Sequence, residues 1–288
     1  MNDQKSKQKW MQRFRQRAQV QPLTESVEEL STWFHTPMGK ALLSAQKKIL
    51  SEELNLLFGY HLMQLSILPE SRLYSASRVN HCFSLAPKTG FSKKKVSGVS
   101  DFQTLPLPDE SIDVTILHHV LEFSENPQQV LKEAARVTIS RGYIVLMGFN
   151  PWSFTGLSKN LAQYYSNKKI WHRHSLRVGR VKDWLNFLDF STADPQYSFF
   201  NLPINSKRYL RNTHFLHKWN WSKSLPFGTA YCLVARKDTL AMTPLKPKWE
   251  TPPVAVREVA SKRAIKSGST AASAMVLPMR KRNPQKRK

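Results

Sequence analysis

The sequence predicts an α/β protein built on a doubly wound, Rossmann-like sheet of seven mostly parallel strands. Between residues 54 and 149, short apolar runs alternate with helical patterns, which is typical of a parallel sheet covered by helices on both faces. The chain has 288 residues, of which 41% are hydrophobic, so it can bury a core of this size. The predicted regions are a basic N-terminal arm (1–25), a helix-led α/β domain (26–237) and a disordered basic tail (238–288).

The predicted elements follow from the apolar runs and from the turn residues between them. Two helical stripes, Ser26–Trp33 and Gly39–Glu53, precede the first strand. Pro127 marks the start of a later helix, because proline favours the first helical turn. In chain order the predicted strands are Leu54–Phe58, Arg72–Ser75, Val96–Asp101, Ile112–Leu117, Tyr143–Phe149, Gln196–Phe200 and Tyr231–Ala235. The helices between them are Tyr60–Leu68, Pro127–Val137 and Arg180–Leu188, and an aromatic insert fills residues 150–180.

The positive charge is concentrated at the two ends of the chain. Lys and Arg number 44 and Asp and Glu number 20, which gives a formal net charge of +24. Residues 1–20 contain six bases and one acid, and residues 238–288 contain twelve bases and three acids. Because the second segment also has six prolines and little patterned apolar content, it is expected to be disordered and to bind polyanions weakly.

Composition also excludes several classes of protein. Cys82 and Cys232 are too few for a disulfide framework, and no Cys-x-x-Cys pair is present for zinc, so no metal is predicted. No stretch approaches 18 uncharged apolar residues, and no integral membrane segment is expected. The first residues do not have the pattern of a secretory signal. These observations favour a cytoplasmic protein.

In a doubly wound sheet, ligands bind beyond the carboxyl ends of the strands. The predicted strands place four loops on this edge, at residues 58–61, 75–77, 100–102 and 117–119. Gly59 would let a ligand approach the backbone, and the helix predicted after it would offer free N–H groups to a carboxylate. An ordinary strand-to-helix turn is the alternative for a loop with a single glycine.

Three sequence motifs lie in the region where a turn, a strand, a helix and a further strand are predicted to follow one another. They are Leu105–Val114, His118–Glu122 and Leu131–Val137. This block resembles the class I S-adenosylmethionine-dependent methyltransferases of the type 11 group over about residues 50–150. Together with Gly148–Leu157 and the basic tail, it resembles the bacterial YafS-like subgroup over most of the chain. The resemblance implies that residues 26–237 form a methyltransferase domain whose cofactor is S-adenosylmethionine.

The resemblance also implies where the cofactor binds. The implied cofactor-binding residues are Gly59, Tyr60, His61, Ser75, Ser77, Asp101, Phe102, Leu117 and His118. Asp101 matches the family's acid that contacts the adenine amino group. Gly59 keeps the first of the three glycines that hold the methionine end, and Ser75 and Ser77 replace the acid that binds the ribose.

Methyl transfer needs an acceptor held in line with the methyl group, and a base only where the acceptor must lose a proton. His118 and His119 are the candidate bases, and Asn150, Trp152 and His172 are candidates for binding the acceptor. The alternative for each histidine is a polar residue satisfied within the fold. For Asn150 and Trp152 it is a rigid turn with the tryptophan in the core.

Two functions remain open from the sequence. The first is a cytoplasmic methyltransferase whose acceptor, a small molecule, an RNA or a protein, is not identified. The second is a non-catalytic protein on the same fold that binds nucleic acid or an anionic surface through its basic ends.

Overall fold

A computed structural model describes residues 22–92, 95–158, 169–171, 173–200 and 227–238. Most of the predicted basic arm, His172 and all but the first residue of the predicted basic tail lie outside the described residues. The chain divides into the units Met1–Ala241 and Met242–Lys288, and every element described below belongs to the first.

The described helices and strands alternate as the fold class requires. The helices are α1 (Leu23–Phe34), α2 (Pro37–Leu54), α3 (Val120–Phe123), α4 (Pro127–Val137) and α5 (Val178–Phe187), with two further short helical segments, residues 154–158 and the 3-10 helix Lys169–Trp171. The strands are β1 (His61–Ser66), β2 (His81–Ala86), β3 (Gly98–Val99), β4 (Ile112–His118), β5 (Thr138–Phe149), β6 (Phe190–Thr192), β7 (Gln196–Ser198) and β8 (Ala230–Lys237).

Local chemistry fixes the start of α2. The Thr36 hydroxyl accepts a hydrogen bond from the Gly39 N–H at 3.2 Å, and Pro37 occupies the first helical position, where its missing N–H costs nothing. From this start α2 buries one stripe, which includes Leu42, Gln46 and Leu50.

The sheet has the order β3-β2-β1-β4-β5-β8-β6, and β7 also pairs with β8. Strands β1 to β5 are parallel, whereas β8 runs antiparallel to β5, β6 and β7. The order reverses between β1 and β4, so the carboxyl ends of these two strands mark the switch point where doubly wound sheets bind ligands. The predicted mostly parallel Rossmann-like class is confirmed.

Three apolar clusters surround the sheet. One face packs against α4 and α5, and the opposite face packs against α2 through Ile49, Leu50 and Leu54. A third cluster lies at the carboxyl edge of the sheet, where α1 and the start of α2 cover the ends of β1 and β5. The last cluster decides which parts of the candidate site are open.

The predicted first strand, Leu54–Phe58, is wrong. Leu54 is the last residue of α2, and the first strand is β1, in the segment predicted to be a helix. In the apolar run Leu54 and Leu57 face the core, while Leu56 and Phe58 are 71% and 65% exposed. The true strand was missed because it contains a buried Gln64, whose side chain accepts from the Leu73 N–H at 3.0 Å and donates to the Ser71 carbonyl at 2.8 Å.

The predicted second strand, Arg72–Ser75, is also wrong. These residues belong to a turn in the crossover from β1 to β2, and the second strand begins at His81. Leu73 and Val79 pack into the α2 face of the sheet, which is why the crossover contains apolar residues without being a strand.

The later predictions hold with small shifts. The helix Pro127–Val137 is α4 without change, and the strands predicted at 112–117, 143–149, 196–200 and 231–235 correspond to β4, β5, β7 and β8. The described part of the sheet has eight strands rather than seven, because the three-residue β6 also pairs with β8.

Candidate active site

The carboxyl edge of the sheet brings together part of the predicted site. Ser66 at the end of β1 pairs with His118 at the end of β4, and the β2–β3 pair ends at Ala86 and Val99. Asp101 and Phe102 follow β3 directly, and Leu117 lies within β4, one residue from the edge. These residues lie at the edge that the cofactor prediction requires.

Gly59, Tyr60 and His61 lie at the opposite edge, so their predicted place beside the cofactor is wrong. Gly59 and Tyr60 precede β1 and His61 begins it, because the first strand starts seven residues later than predicted. Five residue steps separate His61 from Ser66, which corresponds to about 16 Å along the strand.

Gly59 has a structural role at this amino edge. The Asp113 carboxylate accepts hydrogen bonds from the N–H groups of Tyr60 and His61, at 3.2 and 2.9 Å. A Cβ atom on Gly59 would lie only 2.4 Å from the Cβ atom of Asp113. The glycine therefore permits the close approach that joins the start of β1 to β4.

Replacement of Gly59 by alanine is expected to lower the free energy of unfolding by about 1–3 kcal/mol, because either the loop or Asp113 must shift. Urea unfolding measures this change. Gly179→Ala is the matched control, since its Cβ would meet nothing within 4 Å and alanine is favoured in the helix. If Gly59→Ala kept normal stability but lost cofactor binding, the result would contradict this structural role and indicate that Gly59 contacts the cofactor.

Ser75 and Ser77 are also away from the carboxyl edge. They lie in the crossover that leads to β2, where the Ser77 hydroxyl accepts from the Val79 N–H at 3.1 Å. The residues that in fact follow β2 are Pro87 and Lys88, and Lys88 pairs with Glu28 of α1 at 2.8 Å. No acid therefore stands at the ribose position in this described segment.

A small cavity beside Asp101 has the position that the resemblance implies for adenine. Its volume is about 190 Å³, and it is lined by Pro22, Leu23, Thr24, Pro87, Asp101, Phe102, Gln103, Ser124, Glu125 and Val130. Asp101 Oδ1 accepts from the Gln103 N–H at 2.9 Å, which shapes the loop after β3. The cavity thus combines a carboxylate with an aromatic and an aliphatic wall, which suits a flat ring carrying an amino group.

The position of the methionine end differs from the family pattern. The residues after β1 are Ile67 and Leu68, both buried against Phe34 and Met38. Residues 67–80, all described, contain neither a glycine nor a helix that could receive a carboxylate. The residues of this edge fit the adenine end of S-adenosylmethionine, while apolar side chains close the methionine end.

Beneath this apolar cover, Gln46 joins the two candidate catalytic histidines. Gln46 Oε1 is 3.2 Å from His118 Nε2, and Gln46 Nε2 is 2.7 Å from His119 Nε2. The other ring nitrogens contact the Ser66 hydroxyl at 2.9 Å and a Glu122 carboxylate oxygen at 2.8 Å. One assignment satisfies all four contacts: His118 Nε2–H donates to Gln46, and His119 Nδ1–H donates to Glu122.

In this arrangement neither histidine has a ring nitrogen available for an acceptor's proton. Both side chains are essentially inaccessible to solvent, at 0% and 1% exposure. The backbone of His119 adopts a left-handed conformation (φ 56°), which turns the chain into α3 and places Glu122 beneath its ring. The contacts therefore favour the alternative of satisfied polar residues within the fold over a catalytic base.

Burial keeps both histidines neutral. It lowers the pKa of His119 to about 3, with a further contribution from the positive charge of Arg173. It also holds the pKa of His118 well below its ordinary value of 6.5, and His119 adds to this effect. Burial lowers the pKa of Arg173 to about 10, so Arg173 stays charged at neutral pH.

The protein is expected to lose stability as the pH falls below 6.5. Below this pH, His118 and His119 become protonated in the unfolded chain but stay neutral in the folded chain. For His119 this difference in protonation persists down to about pH 3. The expected loss is about 1 kcal/mol per pH unit for each histidine, measurable by urea unfolding at several pH values. His119→Gln should have a shallower pH profile, and equal slopes in the two proteins would contradict the assignment.

The network includes residues that the functional prediction missed. Glu122 Oε1 accepts a hydrogen bond from the Phe149 N–H, and the Glu122 carbonyl accepts from the His174 N–H at 2.8 Å. The Arg173 guanidinium lies 4.2 Å from the centroid of the Phe149 ring and is itself buried. The sequence contained one signal for this network, the acidic Glu122 at the end of the His118–Glu122 motif. An acid that becomes buried requires hydrogen-bonding or charged partners.

The acceptor candidates also have defined places. Asn150 is buried and braces the turn after β5, because its Nδ2 donates to the Gly228 carbonyl at 2.9 Å and its Oδ1 accepts from the Trp152 N–H at 3.1 Å. Trp152 is 56% exposed, with the Arg177 guanidinium 5.1 Å from its ring centroid. The rigid turn is thus present, but the alternative that placed Trp152 in the core is wrong. His172 lies outside the described residues.

The described residues lack two kinds of feature. They contain no group of three His, Cys, Asp or Glu residues that could hold a metal ion. They also contain no helix with the length and apolar character needed to cross a membrane.

Comparisons with known proteins agree with the fold and the motifs. A family model described as a methyltransferase domain matches residues 74–146. The chain is 30% identical over 213 residues to the protein YafS of Escherichia coli (strain K12), an alignment that covers 73% of this chain and 82% of YafS. In structure it is similar to an S-adenosylmethionine-dependent methyltransferase of Thermotoga maritima, described as a possible histamine N-methyltransferase. That comparison has a TM-score of 0.53 and 18% identity, and it covers 74% of this chain and 97% of the other.

Proposed function

The chain belongs to the class I S-adenosylmethionine-dependent methyltransferases, with S-adenosylmethionine as its cofactor, and we propose that it binds this cofactor by placing adenine in the cavity beside Asp101. The observation that carries this proposal is the cavity itself, which lies beyond the carboxyl ends of β2 and β3, at the edge where doubly wound sheets bind ligands. Asp101 Oδ2 would accept a hydrogen bond from the adenine amino group, and Phe102 and Val130 would cover the ring.

The bound cofactor supplies a methyl group that is already activated on a sulfonium, so the protein's main task is to position the acceptor. His118 and His119 hold the end of β4 through Gln46 and Glu122, and neither takes a proton in this arrangement. We therefore assign them a positioning role. The acceptor would be a nucleophile that reacts without a proton transfer to either histidine.

The entry of the whole cofactor requires movement at the start of α1. Pockets that bury a drug-sized ligand usually measure about 300–1,000 Å³, well above the 190 Å³ of this cavity. Pro22, Leu23 and Thr24 form one wall of the cavity. Their displacement would open the cavity toward the ends of β1 and β4.

We further propose that the protein acts in the cytoplasm on a small-molecule, RNA or protein acceptor. Both of its cysteines are free, which is consistent with a reducing compartment. Weak polyanion binding by the basic tail, which lies outside the described residues, remains part of this proposal.

Calorimetric titration of the full chain with S-adenosylmethionine and with S-adenosylhomocysteine tests the proposal. One molecule of each is expected to bind per chain. Absence of binding heat at millimolar ligand, together with retained binding of RNA, would contradict the proposal and favour the non-catalytic alternative. If the cofactor binds, incubation of the purified protein with a cell extract and a radiolabelled methyl donor would report the acceptor class.

A further inference from the structure

Four large apolar side chains are exposed together at the carboxyl edge. They are Trp152, Phe154, Leu157 and Phe227, each between 56% and 61% exposed, and they are called the rim patch here. Monomeric proteins rarely expose several large apolar groups side by side unless the surface contacts a partner or a membrane.

The rim patch is held on one rigid turn. Asn150 joins the two segments of the patch, because its backbone N–H donates to the Thr229 carbonyl at 2.8 Å and its side chain donates to the Gly228 carbonyl at 2.9 Å. The Ser153 hydroxyl donates to the Asn150 carbonyl at 2.7 Å and accepts from the Gly156 N–H at 3.0 Å. The apolar groups are therefore presented to solvent in a fixed arrangement.

One positive charge lies directly against the patch. The Arg177 guanidinium lies over Trp152, and Arg180, one turn later in α5, lines a neighbouring groove with Lys132 and with one acid, Glu125. The sequence from 150 to 182, between β5 and the middle of α5, contains seven basic residues and no acid. The sequence from 199 to 229, between β7 and β8, contains five basic residues and no acid.

Both acid-free segments begin at the same edge as the patch. Phe149 at the end of β5 pairs with Ala230 at the start of β8, and Ala230 pairs with Ser198 at the end of β7. The combination of Trp, Phe and Leu with the adjacent Arg177, in flanking sequence that carries bases and no acid, is the pattern of a surface that lies on an anionic bilayer.

We propose that the rim patch docks the protein on a membrane surface that contains anionic lipids. Phe154 and Leu157 enter the bilayer interface, Trp152 lies at the headgroup level, and Arg177 contacts lipid phosphates. The inference goes beyond the proposed function and does not depend on methyl transfer.

A lipid surface fits the patch better than a nucleic acid does. Arg177 already covers one side of the Trp152 ring, at 5.1 Å from the centroid, which leaves that side closed to a base. Leu157 offers no ring on which a base can stack, whereas it adds directly to insertion among acyl chains.

A local fluorescent probe tests this proposal on the full chain. Leu157→Cys is labelled with an environment-sensitive fluorophore and mixed with vesicles of phosphatidylcholine containing phosphatidylglycerol. Phe187→Cys is the matched control, because Phe187 is an 87% exposed apolar residue at the far end of α5, between Asp183 and Asp189. Burial raises the pKa of the native Cys82 and Cys232 thiols, which slows their labelling, and the unaltered chain gives the background.

The probe at position 157 is expected to shift to the blue with phosphatidylglycerol vesicles, and the probe at position 187 is not. The unlabelled double variant Phe154→Ser/Leu157→Ser is expected to partition onto these vesicles at least about tenfold less than Phe187→Ser does. Three results would overturn the proposal. They are the absence of vesicle binding, vesicle binding without a spectral change of the probe at position 157, and a spectral change at position 157 with RNA instead of lipid.

Discussion

Replacement of Glu122 by alanine is expected to lower the free energy of unfolding by about 3–5 kcal/mol. The Glu122 side chain is 2% exposed, and its two oxygens accept hydrogen bonds from His119 Nδ1–H and the Phe149 N–H. Burial lowers the pKa of Arg173, and the negative charge of Glu122 partly offsets this effect. Removing the carboxylate leaves two buried donors unsatisfied and removes a negative charge that favours the charged form of the buried Arg173.

Denaturant unfolding of the full chain measures this loss, and Glu125→Ala is the control. Glu125 is an exposed acid only three residues farther along the chain, so its replacement should change stability by less than about 0.5 kcal/mol. Glu122→Gln should fall between the two, because the amide keeps one acceptor oxygen. If Glu122→Ala were as stable as Glu125→Ala, the buried network would not hold the carboxyl edge together.

Replacement of Asp101 by alanine is expected to weaken the binding of S-adenosylhomocysteine by about 10- to 100-fold. A hydrogen bond to a charged acceptor contributes about 1.5–3 kcal/mol, and each 1.4 kcal/mol corresponds to a factor of ten in the dissociation constant. Asp101 Oδ1 accepts the Gln103 N–H at 2.9 Å, so the carboxylate also shapes the wall of the cavity.

Calorimetric titration gives the two dissociation constants. Asp183→Ala, which removes an exposed acid on α5 that does not line the cavity, is the matched control and should bind as the original chain does. Equal affinities in Asp101→Ala and Asp183→Ala would show that adenine does not contact Asp101.

The second half of the sheet was predictable because its sequence signals are local. The Pro127 start defines α4, and the mainly apolar β4 and the apolar run at residues 143–149 of β5 reflect burial on both faces of a parallel sheet. The turn before β4 is rich in proline and acid, and Arg136 fixes it through hydrogen bonds to the Leu105 and Leu107 carbonyls at 3.0 Å.

The first half could not be read in the same way. Strand β1 contains Gln64 and Ser66, and both are buried because distant backbone and side-chain groups satisfy them. The exposed Leu56 and Phe58, in contrast, have the apolar character of a strand without its burial. A sequence pattern records polarity but not the partners that make a polar side chain acceptable in a core.

The difference between the predicted and the observed position of β1 also explains why some of the predicted cofactor-binding residues lie away from the carboxyl edge. The assignment of Asp101, Phe102 and His118 to the carboxyl edge depended on β3 and β4, which were placed correctly. The assignment of Gly59 depended on β1 and moved to the opposite edge with it. The role of Gln46 between two histidines required the long-range packing of α2 on β4, which the sequence does not encode locally.

A crystal structure of the chain with S-adenosylhomocysteine tests the central claim most directly. The account predicts adenine in the cavity after β3, its amino group within hydrogen-bond distance of Asp101, and the Pro22–Thr24 wall displaced from its position here. A nucleoside bound beside Gly59 at the amino edge, or anywhere outside the Asp101 cavity, would contradict it.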